Sequence, residues 1–367
     1  MEPSRINVLI QKYKEGVASH SEREELMGWY QEIAYRDAEF PGDEQQTGER
    51  VWSRLKQSMG YSVKKSNYKK WFTAAAAVLF IVAGSLYYMG RDGKSNQQDI
   101  VPGINKAYLI MGNGKRISLN DVSNGSIATE AGVEISKTAD GQIVYKIHAE
   151  NAVNSNLLNR IETPRGGQYQ VELPDGTKVW LNAASVLQYP VRFALKGDRS
   201  VELEGEAYFE VAKDATHPFK VKSTGQLVEV LGTHFNISSY AEEGKTITTL
   251  LEGSIELNQH VILKPNEQTT LLNGQISLIS VDAMEAIAWK QGLFVFDGDT
   301  LEEVMKKISR WYNVETVFED TALKSKKFSG RVSRSLNLSK VLEKLEIVGG
   351  VKFDVSKSTI IVKNNNR

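Results

Sequence analysis

Arg199–Ala212 reads RSVELEGEAYFEVA, and this stretch decides the fold of the larger part of the chain. Its apolar residues are Val201, Leu203, Ala207, Phe209 and Val211, and its glutamates are Glu202, Glu204, Glu206 and Glu210. This alternation is the period of a β-strand with one dry face and one wet face. We therefore expect antiparallel β-structure around this strand, with the glutamates facing solvent.

Turn signals on both sides extend the β-structure. Ala107–Asn120 (AYLIMGNGKRISLN) and Tyr169–Asn182 (YQVELPDGTKVWLN) each place two alternating runs around Asn-Gly or Asp-Gly, dipeptides that tolerate positive φ. The two hairpins look like one pattern used twice. Further turn dipeptides stand at Asn124-Gly125, Asp140-Gly141 and Asn273-Gly274. Much of 104–280 should be antiparallel β, either a sandwich or a solenoid-like stack.

The pattern changes from Trp289 onward and mixes strands with two helices. The strands are predicted at Leu293–Phe296, Glu315–Phe318, Lys327–Val332, Val351–Val355 and Thr359–Val362. The first helix follows a capping box of Thr300 and Glu303 and has Leu301, Val304, Met305, Ile308 and Trp311 on its apolar side; the second carries Leu338, Val341, Leu342 and Leu345. The order β-α-β-β-α-β-β predicts a small α+β sandwich with both helices on one face of a sheet.

Trp71–Gly90 (WFTAAAAVLFIVAGSLYYMG) has no charged residue over about 20 positions, enough for a helix to cross a hydrocarbon core of roughly 30 Å. The basic residues before it are Lys64, Lys65, Lys69 and Lys70, and those close after it are Arg91 and Lys94. This bias places the N-terminus in the cytoplasm and the C-terminus in the periplasm of a single-pass inner-membrane protein. A removable signal peptide fits poorly, because a long polar segment comes first and no cleavage site is obvious.

The residues before the span predict three short amphipathic helices. Their apolar stripes are Ile6, Leu9, Ile10 and Tyr13; then Leu26, Trp29, Tyr30 and Ile33; then Val51, Trp52, Leu55 and Met59. Ser21 with Glu24 predicts a capping box before the second stripe. So short a segment buries little surface, so a partner protein could complete its core; a self-contained three-helix bundle ranks equally from periodicity alone.

Composition excludes several classes of function. The 367 residues carry 45 Lys+Arg and 45 Asp+Glu, so no net charge attracts the chain to nucleic acid. Cysteine is absent, which removes thiolate metal sites, cysteine nucleophiles and disulfides. The five histidines lack the spacing of a zinc hydrolase, and no Gly-x-Ser-x-Gly elbow occurs. We therefore expect no enzyme, cofactor or metal; the row Glu202, Glu204, Glu206 reads better as a solvated strand face than as glycosidase acids or a calcium site.

Several motifs in the same order resemble the FecR family of sigma-factor regulators. They are 161–185 (IETPRGGQYQVELPDGTKVWLNAAS), VELEGEAYFEVA, 217–221 (HPFKV), 230–237 (VLGTHFNI) and 250–257 (LLEGSIEL). The tail from Trp289 is similar to the small domain that follows the FecR domain in many members. The resemblance implies five parts in chain order. Residues 1–70 form a cytoplasmic all-α segment that binds a sigma factor, and residues 71–90 form the transmembrane helix. In the periplasm, 91–160 form a β-hairpin region, 161–284 an all-β FecR domain and 285–367 an α+β domain.

The resemblance implies an anti-sigma factor. Family members hold an extracytoplasmic-function sigma factor through the cytoplasmic segment and read a TonB-dependent outer-membrane transporter through the periplasmic part. Large apolar and aromatic side chains dominate interface energetics, so the expected sigma contacts are Leu26, Trp29, Tyr30 and Trp52, which could equally form a bundle core.

Some family members resemble self-processing proteins at a Gly-Thr pair, which here is Gly232-Thr233. The Thr233 hydroxyl would attack the preceding carbonyl. A turn glycine followed by a strand threonine is the reading we prefer, since no base is identifiable.

The alternative to a sigma regulator is a membrane-anchored periplasmic glycan-binding β-module. Its stacking platforms would be exposed aromatics such as Trp180 and Tyr189.

Overall fold

The computed structural model describes residues 5, 8–9, 12, 19, 21–22, 25, 99–139, 141–147, 157–194 and 196–365. The chain divides into two compact units, Met1–Ser95 and Asn96–Arg367. The predicted span 71–90 lies outside the described residues. Within the described ranges, no helix is both long and apolar enough to cross a bilayer.

The first unit is helical at the positions that the structure describes, apart from Ser19. Arg5 pairs with Glu25 at 3.1 Å and Lys12 with Glu22 at 2.6 Å, so the described helical residues before Ser19 lie beside those after it in antiparallel order. Ser19 and Glu22 form the capping box, because the Ser19 amide donates to Glu22 Oε2 at 3.0 Å and the Glu22 amide donates to Ser19 Oγ at 3.3 Å. The predicted Ser21–Glu24 box was therefore wrong by two positions: Ser21 already lies inside the helix.

In the part of the second unit that the structure describes, nineteen strands come first. They are β1 (Ile104–Asn105), β2 (Tyr108–Ile110), β3 (Arg116–Ser118), β4 (Gly125–Glu130), β5 (Val133–Lys137), β6 (Ile143–Ile147), β7 (Leu158–Thr163), β8 (Gly167–Glu172), β9 (Lys178–Leu181), β10 (Ser185–Pro190), β11 (Arg199–Glu210), β12 (Phe219–Ser223), β13 (Gln226–Val230), β14 (His234–Ser239), β15 (Lys245–Glu252), β16 (Ile255–Leu257), β17 (Val261–Leu263), β18 (Glu267–Leu272) and β19 (Gln275–Ser280). A 3-10 turn, Ala241–Glu243, precedes β15.

These strands form two sheets that share β11. Sheet I has the order β3-β2-β7-β10-β11-β12-β13-β16-β17. Sheet II has the order β4-β5-β6-β8-β9-β11-β14-β15-β18-β19, with β1 added along β8. Buried side chains of both sheets form one apolar cluster. Antiparallel pairs predominate among the described strands, so the sandwich describes this part of the chain and the solenoid alternative does not.

Gly205 is where β11 passes from sheet I to sheet II. Residues up to Glu204 pair with β10 and β12, and residues from Gly205 onward pair with β9 and β14. Gly205 has φ +89°, and a Cβ there would lie 2.7 Å from Ser185 Cα. Only glycine allows this close approach, so one residue type permits the crossing.

The two predicted hairpins are confirmed and are built alike. β2 pairs with β3, and β8 pairs with β9. In the first turn Gly114 N donates to Met111 O and Met111 N to Lys115 O; in the second, Gly176 N donates to Leu173 O and Leu173 N to Thr177 O. Of the two turn residues only the glycine has positive φ, +84° in both hairpins.

A connecting segment (281–292) with a short helix α1 (Ala283–Ala286) leads to the C-terminal module (293–364). The module contains β20 (Leu293–Thr300), α2 (Leu301–Tyr312), β21 (Glu315–Phe318), β22 (Lys327–Ser333), α3 (Leu338–Gly349), β23 (Val351–Ser356) and β24 (Thr359–Asn364), with a 3-10 turn at Thr321–Ser325. The predicted order of elements is confirmed, and both helices bury the predicted apolar sides.

The strands of the module do not form the single sheet that the sequence suggested. β20 pairs with β22, whereas β21, β24 and β23 form a separate three-stranded sheet. The bounds of the predicted domains themselves stay a prediction.

Candidate functional site

Glu206 lies at the centre of a polar site on the outer face of sheet II. Its Oε2 accepts from Asn182 Nδ2 at 2.7 Å, and its Oε1 accepts from Asn236 Nδ2 at 3.1 Å. Burial raises the pKa of this carboxyl. Glu202 and Glu204 are exposed as predicted, but the expectation of a solvated Glu206 was wrong, because the crossing at Gly205 carries it to a face that other residues cover.

Both asparagines also hold residues that come later in the chain. Asn182 Oδ1 accepts from Arg334 Nη2 at 2.9 Å, and Asn236 Oδ1 accepts from Trp289 Nε1 at 3.2 Å. Each amide therefore uses one end for Glu206 and the other for the connecting segment or the C-terminal module. Glu206 is the hub of a hydrogen-bond network that joins the sandwich to the module.

Arg334 is the cation of this network. The residue is 3% exposed, its Nη1 donates to Trp289 O at 3.0 Å, and its guanidinium lies 3.8 Å from the Trp311 ring centroid. Burial lowers its pKa to about 10, and the charge of Glu206 opposes that shift. Asn182 lies between the two charged groups and forms a hydrogen bond with each of them.

Helix α2 supplies a second set of contacts to the sandwich. Arg310 pairs with Glu242 at 2.8 Å and with Glu243 at 2.7 Å. Lys245 pairs with Glu303 at the start of α2, at 2.7 Å. Ion pairs thus connect both ends of α2 to the sandwich.

Arg165 of the sandwich also contacts the C-terminal module, at the end of α2 and just after it. Its Nη2 donates to Val314 O at 2.6 Å and to Ser309 O at 3.1 Å. We call the whole contact between the sandwich and the C-terminal module the seam. A cavity of about 650 Å³ lies in it, lined by Glu206, Arg310, Arg334, Trp311 and other residues of both parts.

Gly232-Thr233 lies before β14, away from these groups in sequence. Gly232 has φ +152°, and a Cβ there would lie 2.8 Å from Lys213 Cα. Thr233 is 3% exposed, and its hydroxyl donates to Ser254 O at 3.0 Å. This carbonyl cannot act as a base. The neighbouring His234 pairs with Glu252 at 3.2 Å. The positive φ of Gly232 and its closeness to Lys213 are enough to explain a glycine at this position.

The remaining predicted site residues divide into two groups. Leu26, Trp29, Tyr30 and Trp52, the expected sigma contacts, lie outside the described residues. Tyr189 was a wrong choice of stacking platform, because it is fully buried with its hydroxyl 2.5 Å from that of Tyr145. Trp180 is half-buried on the outer face of sheet II.

Sequence reasoning missed Asn182, Asn236 and Arg334. The asparagines occupy outward positions at or beside strands, where a polar residue normally signals solvent, and no local pattern marks Arg334 as buried. Among the residues that the structure describes, no group of acidic and histidine side chains is arranged to hold a metal ion.

Comparisons with known proteins agree with this architecture. The family model described as "FecR protein" matches residues 159–256, and that described as "FecR, C-terminal" matches residues 293–362. Two crystal structures of a candidate anti-sigma factor from Parabacteroides distasonis ATCC 8503 are similar, with 32% and 33% sequence identity and a TM-score of 0.53 each. The alignments cover 56% and 57% of this chain and 98% and 99% of that one. No curated protein matches this chain.

The fold and the seam define a β-sandwich protein that carries a docked α+β module. This chain belongs to the FecR family, with the family's C-terminal domain. The resemblance drawn from the sequence motifs is confirmed.

Proposed function

We propose that this protein is a transmembrane anti-sigma factor. The observation that carries the proposal is its FecR membership together with its similarity to a candidate anti-sigma factor. The uncharged stretch 71–90 ends shortly before the boundary between the two compact units, as expected of a connection between compartments. In this proposal 1–70 lies in the cytoplasm and binds an extracytoplasmic-function sigma factor, and the second unit lies in the periplasm.

The periplasmic unit receives its signal from a TonB-dependent outer-membrane transporter. Among the described strands, β21 and β23 pair on one side only, both with β24. An open edge accepts a strand from a partner through main-chain hydrogen bonds. Val317 of β21 is 52% exposed and would lie in such a contact. The C-terminal module is therefore the receiving surface in this proposal.

Signal transfer across one helix favours cleavage over a change of shape. A lone helix can slide, rotate or dissociate, and it holds few discrete states. Binding of the transporter would expose a cleavable stretch, and proteolysis near or within the span would release the cytoplasmic segment with its sigma factor. The proposal assigns the protein no enzymatic activity and no cofactor.

Self-processing at Gly232-Thr233 is a separate proposal, weighed against a structural role. The positive φ of Gly232 and its contact with Lys213 favour the structural role. Two fragments from the purified protein that vanish in Thr233→Ala would establish processing instead.

Co-purification tests the anti-sigma function directly. The full chain, solubilised in detergent, should retain a sigma factor, and Trp29→Ala or Trp52→Ala should release it while the helical circular-dichroism signal persists. Trp180→Ala, the same change in the other unit, is the control and should retain it. If no sigma factor accompanies the wild-type chain, the proposal fails; if Trp29→Ala loses both binding and helicity, that residue belongs to a bundle core.

A further inference from the structure

A row of polar and aromatic side chains crosses the outer face of sheet II. Strand register places Gln170 opposite Trp180, Trp180 opposite Tyr208, and Tyr208 opposite Asn236. The row continues from Asn236 to Thr249. Side chains opposite each other on neighbouring strands stand close enough to act as one surface.

The connecting segment covers the middle of this row and leaves one end open. Trp289 binds Asn236 and packs with Ile287 and Tyr208. Beyond Trp289, the end of the row at Gln170 and Trp180 faces a pocket of about 310 Å³, distinct from the cavity of the seam. That volume lies at the lower end of the range for small-molecule sites.

The lining of this pocket is rich in side-chain amides, and none of the lining residues that the structure describes carries a carboxylate. The amides are Asn105, Asn120, Gln142, Gln168 and Gln170, and the aromatic residues are Tyr169, Trp180 and Trp289. Gln168 Nε2 donates to Asn105 Oδ1 at 3.3 Å, and Gln170 Nε2 donates to Gln142 Oε1 at 3.1 Å. These contacts fix the amides in position before any ligand arrives, which lowers the entropic cost of binding.

The two lysines that line the pocket are already engaged. Lys137 donates to Leu119 O at 2.7 Å and to Val122 O at 3.0 Å. Lys290 lies 4.1 Å from the Trp180 ring centroid and 3.8 Å from Glu210 Oε1. Both ammonium groups are therefore held by contacts within the protein, Lys137 by two carbonyl oxygens and Lys290 by Trp180 and Glu210.

The chemistry of the lining selects one class of ligand. Among the described lining residues a cation would find no carboxylate, and an apolar ligand would desolvate five amides without new hydrogen bonds, which is costly. Amides both donate and accept, and an indole ring packs against C–H groups. We propose that this pocket binds a neutral saccharide of one or two rings, with Gln170 and the other amides binding hydroxyl groups and Trp180 supplying the apolar wall.

Binding of disaccharides to the full chain tests this site. The protein is kept in a zwitterionic detergent without a sugar headgroup, and maltose, cellobiose, lactose and diacetylchitobiose are titrated to about 10 mM by calorimetry. At least one should bind saturably. Gln170→Ala and Trp180→Ala should each weaken that binding about tenfold or more, with unchanged thermal unfolding midpoints, and Gln275→Ala on the exposed edge strand β19 should not.

Two results would overturn the proposal. One is the lack of saturable binding of all four sugars to the wild-type chain. The other is binding that Gln170→Ala leaves unchanged, which would place the sugar elsewhere. Gln170 decides the matter if Trp180→Ala fails to fold, because a partly exposed polar residue can be truncated at small cost to stability. Neither result bears on sigma binding.

Discussion

Gly205 and Gly176 have nearly the same backbone angle but different surroundings. Their φ angles are +89° and +84°, and a Cβ at Gly176 would meet nothing within 4 Å, whereas one at Gly205 would lie 2.5 Å from Ser185 Oγ. Gly176→Ala should cost about 1–2 kcal/mol from backbone strain alone. Gly205→Ala should cost about 3 kcal/mol or more, because the clash adds to the strain. Denaturant unfolding measures both, and equal losses would mean that the strand does not cross as described.

Glu206 should make stability depend on pH. Burial raises its pKa in the folded protein above the ordinary 4.5, so between these two values the native state binds more protons than the unfolded state. Stability attributable to Glu206 is therefore fully present below pH 4.5 and falls as pH rises through the folded pKa.

Glu206→Gln isolates that effect. The glutamine cannot titrate at this position. Its NH2 group must face the NH2 group of Asn182 or Asn236, which changes the unfolding free energy by the same amount at every pH. The wild-type unfolding free energy minus that of the variant should decrease from pH 4 to pH 7. Parallel curves over that range would contradict the raised pKa.

Individual residues also show which features can be predicted from the sequence and which cannot. The apolar positions of Arg199–Ala212 were predicted correctly because alternation is a local property. The environment of Glu206 could not be predicted, because it depends on Asn182, Asn236 and Arg310, which are distant in sequence.

At the scale of elements, the start of α2 offers a direct test of capping. Glu303 N donates to Thr300 Oγ1 at 3.2 Å, and Thr300 N donates to Glu303 Oε2 at 2.9 Å. Thr300→Ala should lower the unfolding free energy by about 1 kcal/mol. Asn337 is the matched control, since it stands at the N-cap of α3 without a side-chain capping bond. A loss for Asn337→Ala as large as that for Thr300→Ala would contradict the account.

The elements of the C-terminal module were the most predictable part of the chain. Amphipathic helices and short apolar strands carry their signal within a few residues, and β21 has the predicted bounds, Glu315–Phe318. Strand pairing was not predictable in the same way. The separation of β20 and β22 from the other three strands depends on contacts between distant segments.

At the scale of the whole molecule, the seam should make the sandwich and the C-terminal module unfold together. Arg334→Met removes the bonds to Asn182 and Trp289 and should uncouple them, so that calorimetry shows two thermal transitions in the second unit instead of one. Arg331→Met is the control, because Arg331 is exposed and pairs only with Glu285 among the described residues. A single transition in Arg334→Met would mean that other contacts couple the two parts.

A signal passed across the membrane requires that the two units lie in different compartments. Reporters fused after Arg91 measure this: an alkaline phosphatase that is active only outside the cytoplasm, and a fluorescent protein that matures only inside it. We predict phosphatase activity and no fluorescence at this junction, with the reverse for fusions after Ser62. Fluorescence without phosphatase activity after Arg91 would place both units in one compartment and contradict a signal passed across the membrane.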